Sequence, residues 1–286
     1  MNLAERAVQV SLNLSVWQGK ADDKSAAATV ESTHSARRGS TSVRKKLLPG
    51  CVEHENVLTL FNSLRTWNYE QTLPWDDNGS RLLCSGNVLD YMDGFRKHKA
   101  AIEAALEVFY AAYPTAQAKA ALALGQLYNP RVYPDVQDLR RKFATNLNLS
   151  PLPNNDDLRN FQGFSQDEVD GIVHDNEIAV QSRLQTAMQD VFARLKAPID
   201  ALVERLSVPI GEEGSVFRDS LIENMKDVVA LLPKLNVAAD PQIEAWCKEA
   251  EQLICEPEML RHSVIKRSDT VNRARALAEK MGGWGV

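Results

Sequence analysis

The stretch Leu184-Gln185-Thr186-Ala187-Met188-Gln189-Asp190-Val191-Phe192-Ala193-Arg194-Leu195 decides the architecture. Its apolar residues, continued by Leu202 and Leu206, recur at threes and fours. That spacing puts Leu184, Met188, Val191, Leu195 and Leu202 on one helical stripe, the pattern of a coiled-coil seam and a candidate surface for self-association. Upstream, Ser165 and Glu168 stand at the N-cap and N3 spacing of a capping box, in which each side chain satisfies a free backbone N–H. A helix from there to about Ser207 is predicted, with Pro198 expected to kink or split it.

Downstream, Gly211 and Gly214 break the pattern and three more amphipathic segments follow. One carries Phe217, Leu221, Met225, Val228, Leu232 and Leu235. Asp240-Pro241 opens the next, with Ile243, Trp246, Ala250 and Leu253 on one side, and Glu256-Pro257 opens the last, running through Leu260, Val271, Ala274 and Met281. Four such segments on short connections must bury their stripes against one another, as a helical bundle or pair of hairpins. In the run Phe217-Arg218-Asp219-Ser220-Leu221-Ile222-Glu223-Asn224, Asn224 lies on the apolar edge and reads as a buried amide bonded to a neighbouring helix.

Toward the N-terminus the period changes. Val8, Val10, Leu12, Leu14 and Val16 alternate with polar residues, the period of two of a half-buried strand, which Trp17 and Gly19 close. Residues 20–46 have no apolar face and read as a long mobile loop. A helix follows through Val57, Phe61, Leu64 and Trp67, then a turn at 73–80. Asn87 caps a helix expected to reach Tyr113, where Pro114 interrupts it and opens another. Pro134 starts a short helix, Phe143 to Leu149 alternate as a second strand, and 158–162 supply a third. Twelve of the nineteen aromatic residues lie between Phe61 and Phe143, which separates a bulky half from a mostly aliphatic one. The expectation is a mainly α protein (α+β): residues 1–162 form an α+β core with a small N-terminal β-sheet and the mobile basic loop 20–46, and residues 163–286 form a long helical bundle.

Composition narrows the function. The 286 residues carry 33 Lys+Arg against 38 Asp+Glu, a formal charge of −5, which disfavours a uniformly basic coat for duplex DNA. With 44% hydrophobic and 25% charged residues, wholesale disorder is excluded. No run of about 18 apolar residues occurs, and the first residues lack a signal-peptide pattern, so neither a membrane partner nor export is expected. Cys51, Cys84, Cys247 and Cys255 are scattered without a CxxC pair, which fits reduced thiols in a cytosol better than a disulfide framework.

Chemistry-bearing constellations are sparse. Cys51, His54, Cys84 and His98 include a C-x₂-H spacing, but ordinary packed cysteine and histidine account for it far better, and no metal or cofactor is assigned. Asp76-Asp77-Asn78-Gly79 resembles the start of a calcium loop, yet its twelfth position is Asn87 and its glycine falls early, so a turn is the reading. No nucleophile elbow, phosphate-binding glycine loop or zinc-helix motif is present, so no catalytic residue is assigned. Asp167, Asp170 and Glu177 read as a solvated helix face. The best nucleic-acid candidates are Arg37, Arg38, Arg44, Lys45 and Lys46, set among serines and threonines, with Trp67, Tyr69 and Trp75 as stacking faces for single-stranded bases. The tail Gly-Gly-Trp-Gly-Val reads as a frayed end carrying Trp284.

Several segments, taken in order along the chain, resemble a group of uncharacterised proteins of tailed bacteriophages and related mobile elements. They are Val16-Trp17-Gln18-Gly19-Lys20, Thr72-Leu73-Pro74-Trp75 with Gly79 and Arg81-Leu82-Leu83, Tyr133-Pro134 with Leu139-Arg140 and Lys142-Phe143, Pro151-Leu152-Pro153, Phe217 to Leu221 with Glu223-Asn224, and Leu231-Leu232-Pro233 with Leu235-Asn236. The likeness departs at Asp157-Leu158-Arg159, and it carries no reaction or catalytic residue. It implies a phage protein made in the host cytoplasm. The reading is therefore a non-enzymatic accessory protein that binds itself or another phage or host protein. The alternatives are a single-stranded nucleic-acid-binding or annealing protein of phage replication or recombination, and a metal-dependent enzyme.

Overall fold

In the computed structural model, residues 3–152, 165–212 and 218–282 are described. A single helical turn, α1 (Leu3–Arg6), leads into strand β1 (Ala7–Ser15), where the alternation placed it. Residues 20–46, expected as a loop, are instead ordered: strand β2 (Lys20–Asp22), helix α2 (Lys24–Thr33) and strand β3 (Arg44–Lys46) form an antiparallel ribbon with a helical excursion. Polar contacts do the ordering that apolar burial does elsewhere. Asp23 caps α2 by accepting from the Ala26 N–H, and the Asp23 N–H donates to the Val43 carbonyl at 2.8 Å, closing the excursion at its base.

Helix α3 (Val52–Gln71) buries Val57, Phe61 and Leu64, as its spacing predicted. Strands β4 (Leu73–Pro74) and β5 (Arg81–Cys84) flank the 75–80 turn. There the Asp76 carboxylate accepts from the N–H groups of Asn78 and Ser80, and Gly79 takes φ +84°, the turn chemistry that short aspartate loops favour. Helix α4 (Val88–Leu124) runs unbroken through Pro114, contrary to the expected interruption. A mid-helix proline costs about 3 kcal/mol, but Phe109, Tyr110 and Tyr113 before it and Ala120 after it are buried in one cluster. Burying even two such aromatic side chains outweighs that cost.

After the short helix α5 (Val136–Arg141) and strand β6 (Ala144–Pro151) comes α6 (Gln166–Ser207), opened by the capping box at Ser165 and Glu168. Pro198 does not split it, because Leu195, Ile199 and Leu202 hold it in the core on both sides. Helices α7 (Ser220–Leu235) and α8 (Pro241–Glu251) follow. The last segment divides at Ser263 into α9 (Pro257–His262) and α10 (Val264–Met281), since Ser263 caps α10 by accepting from the Lys266 N–H. The strand expected at 158–162 lies outside the described residues. The antiparallel sheet has the order β4-β5-β1-β6, with Ala7 opposite Cys84 and Val10 opposite Arg81. The protein is thus mainly helical with a small sheet. Among the described residues, no helix is long and apolar enough to cross a membrane.

The division of the chain differs from the expected boundary at residue 162. One unit comprises residues 1–11, 69–89 and 148–286, the other residues 12–68 and 90–147. In the first, the bundle of α6, α7, α8 and α10 shares its core with Ala7, Leu73, Trp75 and Leu82, because the apolar residues around β5 are covered by the bundle. In the second, α3 and α4 bury an aromatic core with Leu47, Tyr133, Leu139 and Phe143. Formal charge splits unequally: the first unit has 17 Lys+Arg against 27 Asp+Glu, the second 16 against 11.

Candidate functional site

The ribbon and its excursion form an arm. α2 leads away from β2, and residues 34–43 return to β3. The arm is held by the Glu31 carboxylate, which is buried (6% exposed) and accepts from the N–H groups of Gly39 at 2.8 Å and Thr41 at 3.1 Å. The Thr41 hydroxyl donates both to Glu31 and to the Ala27 carbonyl. The Thr41 N–H, with that of Gly39, holds the Glu31 carboxyl below the usual carboxylate range. Gly39 takes φ +85° and Ser35 φ +50°, so the return bends sharply and leaves residues 32–40 exposed. Arg37 and Arg38 sit at that tip.

The five cations of the candidate cluster are not equivalent. Arg44 donates to Asp22 at 2.8 Å and Lys45 to Asp23 at 2.7 Å, and each partner holds its aspartate's carboxyl below the usual range. Lys45 also donates to the Leu127 carbonyl, which anchors the ribbon. Arg44 and Lys45 are therefore neutralised at home. Lys46 faces Lys20 directly across the ribbon, and both are exposed.

The proposed stacking faces are not assembled. Trp75 is 6% exposed, sealed into the bundle core. Trp67 stacks on Tyr91, ring centroids 4.8 Å apart, and lies 5.1 Å from His98. Tyr69 is exposed, but the Arg81 guanidinium covers its ring at 4.5 Å. Neither tryptophan offers an open ring face for a base, because each fills a gap between helices or strands that the sequence pattern did not reveal.

The seam of α6 is likewise occupied. Met188, Val191, Leu195 and Leu202 are buried, and Leu184 packs against the same cluster, which α7, α8 and α10 complete. Self-association through these residues is corrected by the structure: the chain's own later helices fill the seam. Asn224 is exposed on α7 rather than buried, because Ile222 and Met225 take the core face.

The cysteine and histidine set does not converge. The Cys51 thiol donates to Glu53 and the His54 Nε2–H to the Trp17 carbonyl at 3.1 Å, while Cys84 belongs to the other unit. Among the described residues, no group of three His, Cys, Asp or Glu side chains is placed to hold a metal ion. Burial lowers the His54 pKa from its ordinary 6.5, so the folded protein favours neutral imidazole. Its contribution to stability is present above pH 6.5 and is lost as pH falls through the lowered folded value. Urea titrations at pH 7.5 and 5.5 check this: the advantage of the native protein over His54→Gln shrinks at the lower pH, and an unchanged difference counts against it.

Sequence reasoning missed a second stripe on α4. Ala101, Ala104, Val108, Ala111, Thr115, Ala118 and Leu122 step by three and four, and all are exposed, Val108 at 60% and Leu122 at 88%. The aromatic face of the same helix masked it, since a mostly alanine pattern has little contrast with its surroundings. Asp167, Asp170 and Glu177 are exposed on α6. No protein-family model, curated protein or solved structure matches this chain.

Proposed function

We propose that this chain is a non-enzymatic accessory protein, of the phage kind its sequence resembles and made in the host cytoplasm, that acts by association, pairing with a second copy of itself through α4. The exposed stripe from Ala101 to Leu122 carries this reading. It is 22 residues long, about 32 Å of helix, and its three-and-four spacing suits helix against helix.

Side-chain size favours an antiparallel second copy as the occupant. Where a and d positions of two antiparallel copies face each other, Leu122 meets Ala104, Val108 meets Ala118 and Thr115 meets Ala111. Each of these layers sets a larger side chain on an alanine, the alternation that close packing requires. A parallel pair in register instead stacks Leu122 on Leu122 and leaves thin alanine layers between. Light scattering on the eluting protein tests the reading: the native chain runs at twice its monomer mass, and Val108→Glu with Leu122→Glu runs as a monomer of unchanged helicity. A monomer at every concentration, or a dimer that survives both charges, overturns it.

A further inference from the structure

The arm combines four features that the α4 reading leaves unused. Its tip presents Arg37 and Arg38, whose side chains make no ion pair among the described residues, beside the hydroxyls of Ser35 and Ser40. Its base presents Lys20 and Lys46 directly opposite each other on the exposed face of the ribbon. Like charges in that position repel, and an anion between them removes the penalty. The ten residues of α2 separate tip from base by about 15 Å. Finally, the arm lies in the unit with the excess of basic residues, although the whole chain is acidic.

From these we infer that the arm binds the phosphate backbone of nucleic acid, with Arg37 and Arg38 on one stretch of phosphates and Lys20 and Lys46 on another. Guanidinium groups suit phosphate oxygens because they can donate two parallel hydrogen bonds. A linear polyanion fits two basic clusters set apart, because one strand supplies phosphates to both. Glu31 is a positioning residue: it fixes the 39–41 return and so the tip. With Trp75 buried and Trp67 stacked on Tyr91, neither of these tryptophans serves as a platform for bases, so binding rests on charge and is indifferent to sequence. Arg44 and Lys45, paired with Asp22 and Asp23, contribute little.

The test is fluorescence anisotropy of the full chain with a labelled mixed-sequence single strand between 50 and 200 mM salt. Four phosphate contacts give a log–log slope of about −2.8, an affinity loss of roughly 50-fold over that range. Arg37→Gln with Arg38→Gln halves the slope to about −1.4, which brings the loss down to roughly 7-fold, whereas Arg65→Gln, an exposed cation on α3, leaves the slope unchanged. No binding at 50 mM salt overturns the inference, as does a slope that the double variant does not change. Binding to phosphatidylserine vesicles without binding to the strand overturns it in favour of a membrane surface. Elution mass of the double variant stays native, which separates this result from the fate of the α4 pairing.

Discussion

Arg267→Met lowers the stability of the bundle unit by about 3–5 kcal/mol. The last carbonyls of a helix have no partner within it, and at the end of α6 Leu206 is buried in the bundle core. Arg267 of α10, only 5% exposed, donates from Nε to the Leu206 carbonyl at 2.9 Å and from Nη2 to those of Arg205 and Val208 at 2.9 and 2.7 Å. Its charge also complements the negative end of the α6 dipole. Methionine keeps much of the stem's packing and strands three acceptors, so the loss reports the hydrogen bonds rather than a cavity. Arg267→Lys keeps the charge but cannot reach three carbonyls at once, and recovers about half of the loss. Urea unfolding followed by helical circular dichroism measures both. A methionine variant within about 1 kcal/mol of native would mean that the carbonyls find other partners.

Gly94→Ala is destabilising by about 1–3 kcal/mol, the reverse of its usual sign. In a helix interior, glycine to alanine ordinarily stabilises by about 0.5–1 kcal/mol. In α4, however, a Cβ on Gly94 would stand 2.3 Å from Cζ2 of Trp67. That ring cannot retreat, because Tyr91 stacks on it and His98 lies beside it. Trp67→Phe removes the encroached atoms, so Gly94→Ala in that background costs less than alone. Double-mutant unfolding measures the coupling, and additive losses would sink the steric account.

Local signals were legible where a few neighbouring residues decide the outcome. The capping box at Ser165, the Asp240 cap of α8 and the alternation of β1 all appear where the sequence put them. Features set by partners far along the chain were not legible. The arm looked mobile because its order comes from Glu31 reaching Gly39 and Thr41, and from Asp22 and Asp23 pairing with Arg44 and Lys45. Strands β4 and β5, of two and four residues, are too short to show a period. The spacing on α6 marks its stripe as apolar, but nothing in it says whether its partner is the same chain or another. Of the candidate site, Arg37, Arg38 and Lys46 remain exposed, while the two tryptophans belong to packing.

The interleaving of the two units also sets an order of synthesis. Residues 12–68 and 90–147 have all left the ribosome by residue 147 plus the length of the exit tunnel, so the aromatic unit can close while the bundle helices are still being made. Residues 1–11 and 69–89 emerge early and wait for α6 and α10. During that interval Leu73, Trp75 and Leu82 stand uncovered, a short apolar segment open to chaperones or to a neighbouring nascent chain. Ribosome-stalled chains ending at roughly residue 190, with the aromatic unit out of the tunnel and most of α6 still inside it, should therefore bind chaperone more strongly than full-length chains released from the ribosome.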